Sequence, residues 1–329
     1  MSIQVTLSII IPVYNVEKHL KRCIESVCAV NIPNKEILCI DDGSTDCSVD
    51  IIREYASHNP CIKIHHQQHG GASVARNNGI NIATGNYIFF LDSDDYIVHP
   101  EHLEQILNHV VTNQADIGFF NAIVNGATKY LETMPACKEV VSGKELMRRF
   151  YINNRTVPTP VWMQIYRRDY LLSSGIKQKE GSIHEDELFT PIALYNAGRA
   201  ICIDMPVVDY QTTRKDAVTR QIGVKFFYDR ANIARDLYLY FAKINATEDE
   251  PYRQVFGIYT QLINGLTENK LKINQYMYKE DFYFMCECAR TAHERRCAKI
   301  ASYSPRLMYI YYNNKLHPII RKFINHIFK

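Results

Sequence analysis

The sequence predicts an α/β protein built on a doubly wound, mostly parallel, Rossmann-like sheet, followed by a helical C-terminal extension. Two observations support this prediction. Over residues 7–124, short apolar runs alternate with stretches in which apolar residues recur every three or four positions. This alternation of strands and helices is typical of parallel sheets that are covered by helices on both faces. Beyond about Val224 the pattern is helical throughout and rich in tyrosine, which predicts the extension.

The apolar runs of the first part are predicted as strands, with helices between them. The predicted strands are Leu7–Tyr14, Glu36–Asp42, Ile62–His66, Asn86–Asp92 and Ala115–Val124. Asn15 and Asp46 stand where they can cap the first and second helices. The third helix follows Gly70 and Gly71, and the fourth carries Pro100 near its first turn, where proline is tolerated.

After Asn125 the alternation loosens. Ser142–Tyr151 and Glu185–Gly198 are predicted as helices, and Ala200–Gln211 as a strand pair or an extended arm. We find no internal repeat and no low-complexity linker.

The change in pattern divides the chain into two predicted domains. Residues 1–220 form the first, with a regular half (1–125) and a looser half (126–220). Residues 221–329 form the helical region.

Composition excludes several classes of protein. The chain has 329 residues, 47% of them hydrophobic, and a net charge of +3, which gives no overall argument for nucleic-acid binding. Its 10 cysteines show no paired CxxC spacing and predict free thiols in a reducing cytosol. The N-terminus lacks the features of a signal peptide, and no apolar run approaches the ~20 residues of a membrane span. We therefore expect a cytoplasmic protein.

Acidic residues follow two of the predicted strands. Asp41 and Asp42 end the second strand, and Asp92, Asp94 and Asp95 follow the fourth. In open parallel sheets, ligands bind outside the carboxyl ends of the strands, near the point where strand order reverses. Each acid could instead cap the next helix, but capping needs one acid per helix. The cluster therefore predicts a site for a hard divalent cation, Mn²⁺ or Mg²⁺.

The phosphate-binding motifs of two large enzyme classes are missing. No GxxxxGK[ST] P-loop occurs, and no GxGxxG follows the first strand. The Gly70-Gly71 pair could allow a close backbone approach to a ligand. Arg76 could contact a phosphate or order the acids, or it could pair with an aspartate for structural reasons alone.

Several motifs in order resemble the family-two glycosyltransferases with the GT-A fold. They are IIIPVYN, IDDGSTD, GGASVARNNGI and FLDSDD, followed by VWMQIYRRD and HEDELF. The resemblance covers residues 6–220. It implies that residues 1–125 bind a nucleotide sugar and residues 126–220 bind the acceptor.

The resemblance implies roles for a set of donor-binding residues. These are Pro12, Val13, Tyr14, Glu17, Asp41, Asp42, Arg76, Asp92, Ser93 and Arg214. The first four line the base and ribose, and Asp42 or Asp41 accepts a hydrogen bond from a uracil-type base. Arg76 lies beside the diphosphate, and Arg214 belongs to a segment that closes over it.

The resemblance also implies the metal ligands and the catalytic base. Asp92 and Asp94 match the family's DxD motif, in which the first acid faces the sugar or ribose and the second holds the metal. Asp95 is a further candidate metal ligand. Asp186 corresponds to the catalytic base, Glu185 lies beside it, and His184 shapes the acceptor pocket.

These roles imply an inverting glycosyltransferase that uses a nucleotide diphosphate sugar, UDP-hexose or UDP-N-acetylhexosamine. A metal stabilises charge on the leaving diphosphate, and a base on the opposite face of the sugar takes the proton of the acceptor hydroxyl. The implied acceptor is a glycan or a lipid-linked molecule in cell-surface polysaccharide biosynthesis. The chain departs from the family pattern at His69, at Gln164 and in the loose QTTRKDAVT segment.

Two other functions compete with this interpretation. A sugar nucleotidyltransferase would carry a Gly-rich basic signature after the first strand, where this chain has PVYNVEKHL. A non-catalytic scaffold of a glycan-assembly complex would be expected to lack Asp94 or Asp186.

The C-terminal tail, residues 306–329, mixes basic, aromatic and aliphatic residues. It could lie on the inner face of an anionic membrane or pack on the protein itself. The identity of the sugar, the acceptor and the linkage does not follow from the sequence, nor does the oligomeric state.

Overall fold

A computed structural model describes residues 6–130, 134–135, 137–154, 156–212, 223–313 and 318–328. The chain forms two compact units, Met1–Lys215 and Asp216–Lys329. Unit 1 contains a ten-stranded sheet, and the described part of unit 2 is helical.

All ten strands of the sheet lie in unit 1. They are β1 (Leu7–Val13), β2 (Lys35–Asp41), β3 (Ile62–His66), β4 (Tyr87–Phe90), β5 (Tyr96–Ile97), β6 (Ile117–Val124), β7 (Thr128–Lys129), β8 (Cys137–Val141), β9 (Gln164–Arg167) and β10 (Ala200–Tyr210). Every residue of β1 and β4 is buried, as expected for strands covered on both faces.

The sheet has the order β3-β2-β1-β4-β9-β6-β10-β5, with β7 beside β6 and β8 beside β10. The first four strands of this order are parallel to one another. β9 runs antiparallel to both β4 and β6, and β10 is parallel to β6. Four strands of the mixed half, β7 to β10, come from the region after Asn125, where the sequence alternation loosens.

The helices of unit 1 are α1 (Glu17–Cys28), α2 (Ser48–His58), α3 (Ala72–Ile82), α4 (Pro100–Thr112), α5 (Gly143–Asn154), α6 (Arg168–Ser174) and α7 (Glu185–Asn196). A short 3-10 helix, Val161–Met163, precedes β9. Helix α3 packs very close to β1, because a Cβ atom at Gly79 would lie 2.5 Å from the Ile10 side chain. This close approach fixes the position of Arg76 one turn earlier.

The start of α1 differs from the sequence prediction. Asn15 has a φ of 50° and lies outside the helix, so it does not cap α1. The N–H of Val16 instead donates to Ser48 Oγ, and that of Glu17 donates to Asp46 Oδ2, both at 3.0 Å. Residues near the start of α2 therefore cap α1, which sequence periodicity within α1 could not reveal.

Unit 2 is described by itself. Its helices are α8 (Val224–Lys243), α9 (Asp249–Glu268), α10 (Lys279–Cys288), α11 (Ala292–Tyr303), α12 (Pro305–Tyr312) and α13 (Pro318–Ile327), with a 3-10 helix at Ile273–Gln275. Asp281 is fully buried and accepts hydrogen bonds from Arg235 and from Tyr259 Oη. Within the described ranges, no helix combines the length and apolarity needed to cross a bilayer.

Candidate active site

The candidate site lies where the strand order reverses. The chain builds β1, β2 and β3 outward in one direction, and α3 then returns it to β4 on the other side of β1. β1 and β4 are parallel neighbours, with Ile10 opposite Phe90. Their carboxyl ends therefore open at the same edge, where ligands bind in folds of this kind.

Asp42 holds the loop between β3 and α3. One carboxylate oxygen accepts hydrogen bonds from the Gly70 N–H and the Gln67 amide, at 2.8 and 2.7 Å. The other accepts the Gly71 N–H at 2.8 Å, and Gly71 has a φ of 92°, which favours glycine. Asp42 is 2% exposed, so its carboxylate is largely occupied by this loop.

Asp41 is also buried, at the end of β2. It accepts the Ser44 N–H at 3.0 Å and pairs with His66 Nδ1 at 3.0 Å. Burial by itself raises the pKa of Asp41, but the contacts with Ser44 and His66 outweigh it and lower the pKa. Asp41 therefore stays ionised at the sheet edge.

Tyr14 and His69 form a stacked aromatic pair beside these acids. Their ring centroids are 4.2 Å apart, with an interplanar angle of 26°. His69 Nδ1 donates to the backbone oxygen of Asp42 at 3.2 Å, which fixes the ring. Tyr14 remains 43% exposed, so the pair offers an aromatic surface to solvent.

The remaining predicted base and ribose residues lie at the end of β1 and the start of α1. Pro12 and Val13 are buried. The Glu17 carboxylate accepts the Cys47 N–H at 2.9 Å, which places it at the start of α2. Glu17, at the start of α1, thus caps α2, and Asp46, just before α2, caps α1.

Arg76 forms ion pairs with one acid after β4 and with one acid at the start of α7. Its guanidinium donates to Asp92 Oδ1 at 2.5 Å, to Glu185 Oε1 at 2.7 Å and to Gln178 Oε1 at 3.1 Å. Arg76 is 6% exposed, and its Nε is buried without a hydrogen-bond partner among the described residues. The residue therefore links the end of β4 to the start of α7.

The aspartates of the DSDD motif, residues 92–95, have different environments. Asp92 and Asp94 are half-buried, whereas Ser93 and Asp95 are buried. Asp95 accepts the Gln211 N–H at 2.8 Å, which connects the motif to the end of β10. Burial raises the pKa of Asp95 well above its usual range, and Asp92 and Asp94 add to this effect.

This arrangement fits a divalent metal that is only partly coordinated by protein. Asp92 and Asp94 offer accessible carboxylate oxygens, the ligand type that Mn²⁺ and Mg²⁺ prefer. Across the described ranges, the three aspartates do not form a compact three-ligand cluster. Substrate phosphates would have to complete the coordination shell, as is common for Mg²⁺.

Glu185 and Asp186 open α7. Burial raises the pKa of Glu185, and Asp186 adds to this while Arg76 opposes it. Burial also raises the pKa of Asp186, with a further contribution from Glu187. His184, the residue before the helix, is buried. A carboxylate with a raised pKa is a better proton acceptor than an ordinary one.

The sequence did not point to Gln178 and Asn77. Asn77 exchanges two hydrogen bonds of 3.0 Å with the backbone of Gln178, and this fixes the segment before α7 against α3. The segment IKQKEGS carries no recognisable motif, so only the fold brings it to Arg76. Arg214 lies outside the described residues.

Comparisons with known proteins show the family and the fold of this chain. The sequence profile of Glycosyl transferase family 2 matches residues 8–172. The uncharacterized glycosyltransferase YibD of Escherichia coli K12 is 30% identical over 282 residues, which are 83% of this chain and 80% of YibD. The poly(ribitol-phosphate) beta-glucosyltransferase of Bacillus spizizenii is 42% identical over 115 residues, 34% of this chain and 18% of that protein.

The crystal structure of S. aureus TarS 1–349 in complex with UDP-GlcNAc resembles this chain with a TM-score of 0.70. The sequence identity is 21%, and the match covers 95% of this chain and 93% of the other. The predicted GT-A fold with a helical C-terminal region is thereby confirmed. Together with the profile match, these findings show that the chain is a glycosyltransferase enzyme and belongs to glycosyl transferase family 2.

Proposed function

We propose that this enzyme is an inverting, metal-assisted glycosyltransferase that moves a sugar from a UDP-sugar, a hexose or an N-acetylhexosamine, to a hydroxyl group of a glycan or lipid-linked acceptor. The proposal rests mainly on the Arg76 bridge, by which we mean the two ion pairs of Arg76 with Asp92 and Glu185. One buried guanidinium contacts both Asp92 and Glu185. The same cation thus connects Asp92 of the DSDD motif with Glu185, the neighbour of the proposed base Asp186.

The donor nucleotide binds at the ends of β1 and β2. Its base stacks on the exposed surface of Tyr14 and His69, since every nucleobase has a π-face that packs well on an aromatic ring. Pro12, Val13 and Glu17 border this position. Of the two candidate acceptors for a uracil N–H, Asp41 is preferred, because both Asp42 carboxylate oxygens already accept hydrogen bonds from the β3–α3 loop. The UDP-GlcNAc complex of the structurally similar TarS supports the choice of a UDP-sugar.

Asp94 and Asp92 are the proposed ligands of Mn²⁺ or Mg²⁺, with Ser93 beside the donor. Asp95 is buried between the motif and β10, and we assign it a supporting position next to these ligands. When bound, the metal supplies positive charge to the leaving diphosphate. Arg76 adds a second positive charge, and Arg214 is a further candidate for this role.

Asp186 is the proposed base. Its carboxylate takes the proton of the acceptor hydroxyl as that oxygen attacks the anomeric carbon. Glu185 stays paired with Arg76 and orients the turn, and His184 lines the acceptor side. Because the base lies opposite the leaving group, one displacement step inverts the anomeric configuration.

The acceptor side is assigned to residues 126–220, the nucleotide side to residues 1–125, and the helical region to residues 221–329. A role in cell-surface polysaccharide assembly is supported by the poly(ribitol-phosphate) beta-glucosyltransferase among the relatives.

A screen of sugar nucleotides tests the proposed reaction. At least one UDP-sugar is expected to be hydrolysed slowly in the absence of acceptor, and EDTA should abolish this activity while added Mn²⁺ restores it. Formation of UTP and sugar 1-phosphate after pyrophosphate is added, measured by mass spectrometry, would favour a nucleotidyltransferase instead. No metal-dependent turnover of any sugar nucleotide would favour the scaffold and contradict the proposal.

We also propose that the C-terminal helices contact the inner face of an anionic membrane, where lipid-linked acceptors occur. The apolar face of α13 is only partly covered by protein. Ile324 is 5% exposed, but Ile320 and Ile327 on the same face are 49% and 55% exposed. Lys322 is exposed on the same helix, and basic residues strengthen attachment to anionic lipid. The other surface of α13 packs in unit 2, since Arg296 and Tyr311 both donate to Asn325.

Vesicle sedimentation distinguishes membrane contact from simple packing. Replacing both Ile320 and Ile327 by serine is expected to weaken binding to phosphatidylglycerol vesicles by roughly ten-fold. Each side chain is about half exposed, so the two together offer the membrane about as much apolar surface as one fully exposed isoleucine. Ile244→Ser is the control, since Ile244 is 40% exposed elsewhere in unit 2. Unchanged binding in the double variant, or in a chain lacking residues 306–329, would show that the tail only packs on the protein.

A further inference from the structure

We propose that His99, Glu101 and His102 form a second metal site, which binds a divalent transition-metal ion such as Zn²⁺. Nδ1 or Nε2 of each histidine and a carboxylate oxygen of Glu101 can offer ligand atoms that all lie within 4.8 Å of one another. The site uses none of the residues assigned above to sugar transfer. It does not depend on the proposed function.

The backbone holds these three residues in one rigid turn. His99 precedes α4, Pro100 occupies the first helical position, and His102 N–H donates to the His99 carbonyl at 3.1 Å. The turn is also attached to β10, because the N–H of Val98 donates to the Val207 carbonyl at 2.8 Å. A preformed turn lowers the entropy cost of gathering ligands around an ion.

His102 has the orientation expected of a metal ligand. Its Nδ1 lies 2.7 Å from the carbonyl oxygen of Pro206. A carbonyl oxygen can only accept a hydrogen bond, so Nδ1 carries the proton and Nε2 keeps its lone pair. Histidines that bind metals commonly donate their other ring N–H to a backbone carbonyl in this way, which fixes both tautomer and ring orientation.

The spacing of His99 and Glu101 also suits a tetrahedral ion. His99 Nδ1 lies 3.3 Å from Glu101 Oε1. Metal–ligand bonds of about 2.0–2.1 Å arranged tetrahedrally put neighbouring ligand atoms roughly 3.3–3.4 Å apart. The ring centroids of His99 and His102 are 4.6 Å apart, so the two rings are direct neighbours.

The ligand set selects a different metal from the DSDD motif. Imidazole nitrogens favour Zn²⁺, Ni²⁺ and Cu²⁺, whereas carboxylates alone favour Mg²⁺ and Mn²⁺. Three protein ligands leave a fourth position for water or another ligand. A bound ion would tie the start of α4 to β10 and brace β5, which directly follows the acidic motif and pairs with β10.

Titration of the full chain with Co²⁺, a spectroscopic substitute for Zn²⁺, tests the site. We expect visible absorption typical of tetrahedral nitrogen and oxygen ligation, one equivalent at saturation, and loss of the signal when Zn²⁺ is added. His102→Ala and Glu101→Gln should each weaken Co²⁺ binding at least ten-fold. Glu101 has a 60% exposed side chain, so Glu101→Gln leaves packing unchanged.

His109→Ala is the matched control, because His109 is exposed on the same helix. It should bind Co²⁺ as tightly as the unaltered chain, and Asp94→Asn should keep the same absorption. Equal weakening in His109→Ala, or unchanged binding in both Glu101→Gln and His102→Ala, would overturn the proposal.

Discussion

Replacing Asp186 by asparagine is expected to lower the rate of sugar transfer by roughly 10²–10⁴-fold, the usual contribution of a positioned general base. The amide has nearly the same shape as the carboxylate but cannot accept the proton of the acceptor hydroxyl. Binding of the donor should not change, because Asp186 lies at the start of α7, whereas the proposed donor contacts come from β1, β2 and the DSDD motif. Steady-state transfer assays with a fixed acceptor measure the effect.

Glu187→Gln is the matched control for this variant. Glu187 belongs to the same helical turn, and its N–H donates to Asp186 Oδ1 at 2.9 Å. The backbone contact survives the substitution, so the maximal rate should stay within a few-fold of that of the unaltered enzyme. A loss in Glu187→Gln as large as in Asp186→Asn would mean that the turn, rather than the Asp186 carboxylate, supports the reaction.

The pH profile separates these two residues further. A general base works only when ionised, so transfer should fall as the pH drops through the pKa of Asp186. Burial and then Glu187 raise the pKa of Asp186, so the acid limb should lie above the ordinary carboxylate range. Removing the Glu187 charge lowers that pKa and should move the acid limb to lower pH. An unmoved limb would assign it to another group.

Arg76→Met is expected to lower the free energy of unfolding by about 3–5 kcal/mol, the usual cost of removing one partner from a buried ion pair. Two carboxylates, Asp92 and Glu185, lose their common cation in this variant. Arg76 now lowers the pKa of Glu185 against the effect of burial, so that pKa should rise further without it. Urea denaturation followed by circular dichroism measures the stability.

Two further variants control this experiment. Arg53→Ala removes an exposed pair with Asp50, with side chains 62% and 78% exposed, and should change stability by less than ~1 kcal/mol. Adding Glu185→Gln to Arg76→Met removes one of the unpaired carboxylates and should recover part of the loss. If Arg76→Met were as stable as Arg53→Ala, the bridge would not be a structural requirement of the site.

The parallel half of the sheet could be predicted from the sequence, because its strands carry their own signal. Leu7–Tyr14 and Glu36–Asp42 were predicted, and the structure has Leu7–Val13 and Lys35–Asp41. Short runs rich in isoleucine are typical of strands that are buried on both faces of a parallel sheet. β9 was not predicted, since its four residues lie in an aromatic and basic stretch whose antiparallel pairing depends on β4 and β6.

Contacts between distant segments explain what the sequence could not reveal about the site. The acids after β2 and β4 could be placed at one edge because parallel strands end together. The different environments of these acids could not be predicted. Asp42 accepts hydrogen bonds from Gly70 and Gly71, which lie 28 and 29 positions further along the chain, and Asp95 accepts one from Gln211, 116 positions away. Gln178 reaches Arg76 across 102 positions, and no local pattern encodes that contact.

The proposed metal-dependent donor binding is measured by calorimetric titration of UDP-sugars, with and without Mn²⁺, on the unaltered enzyme, Asp94→Asn and Asp186→Asn. We expect Mn²⁺ to strengthen donor binding in the unaltered enzyme and equally in Asp186→Asn, although Asp186→Asn should transfer almost no sugar. Asp94→Asn should lose the Mn²⁺-dependent part of the affinity. Equal, metal-independent donor binding in all three proteins would show that no metal held by Asp94 takes part in donor binding, and the proposed mechanism would be wrong.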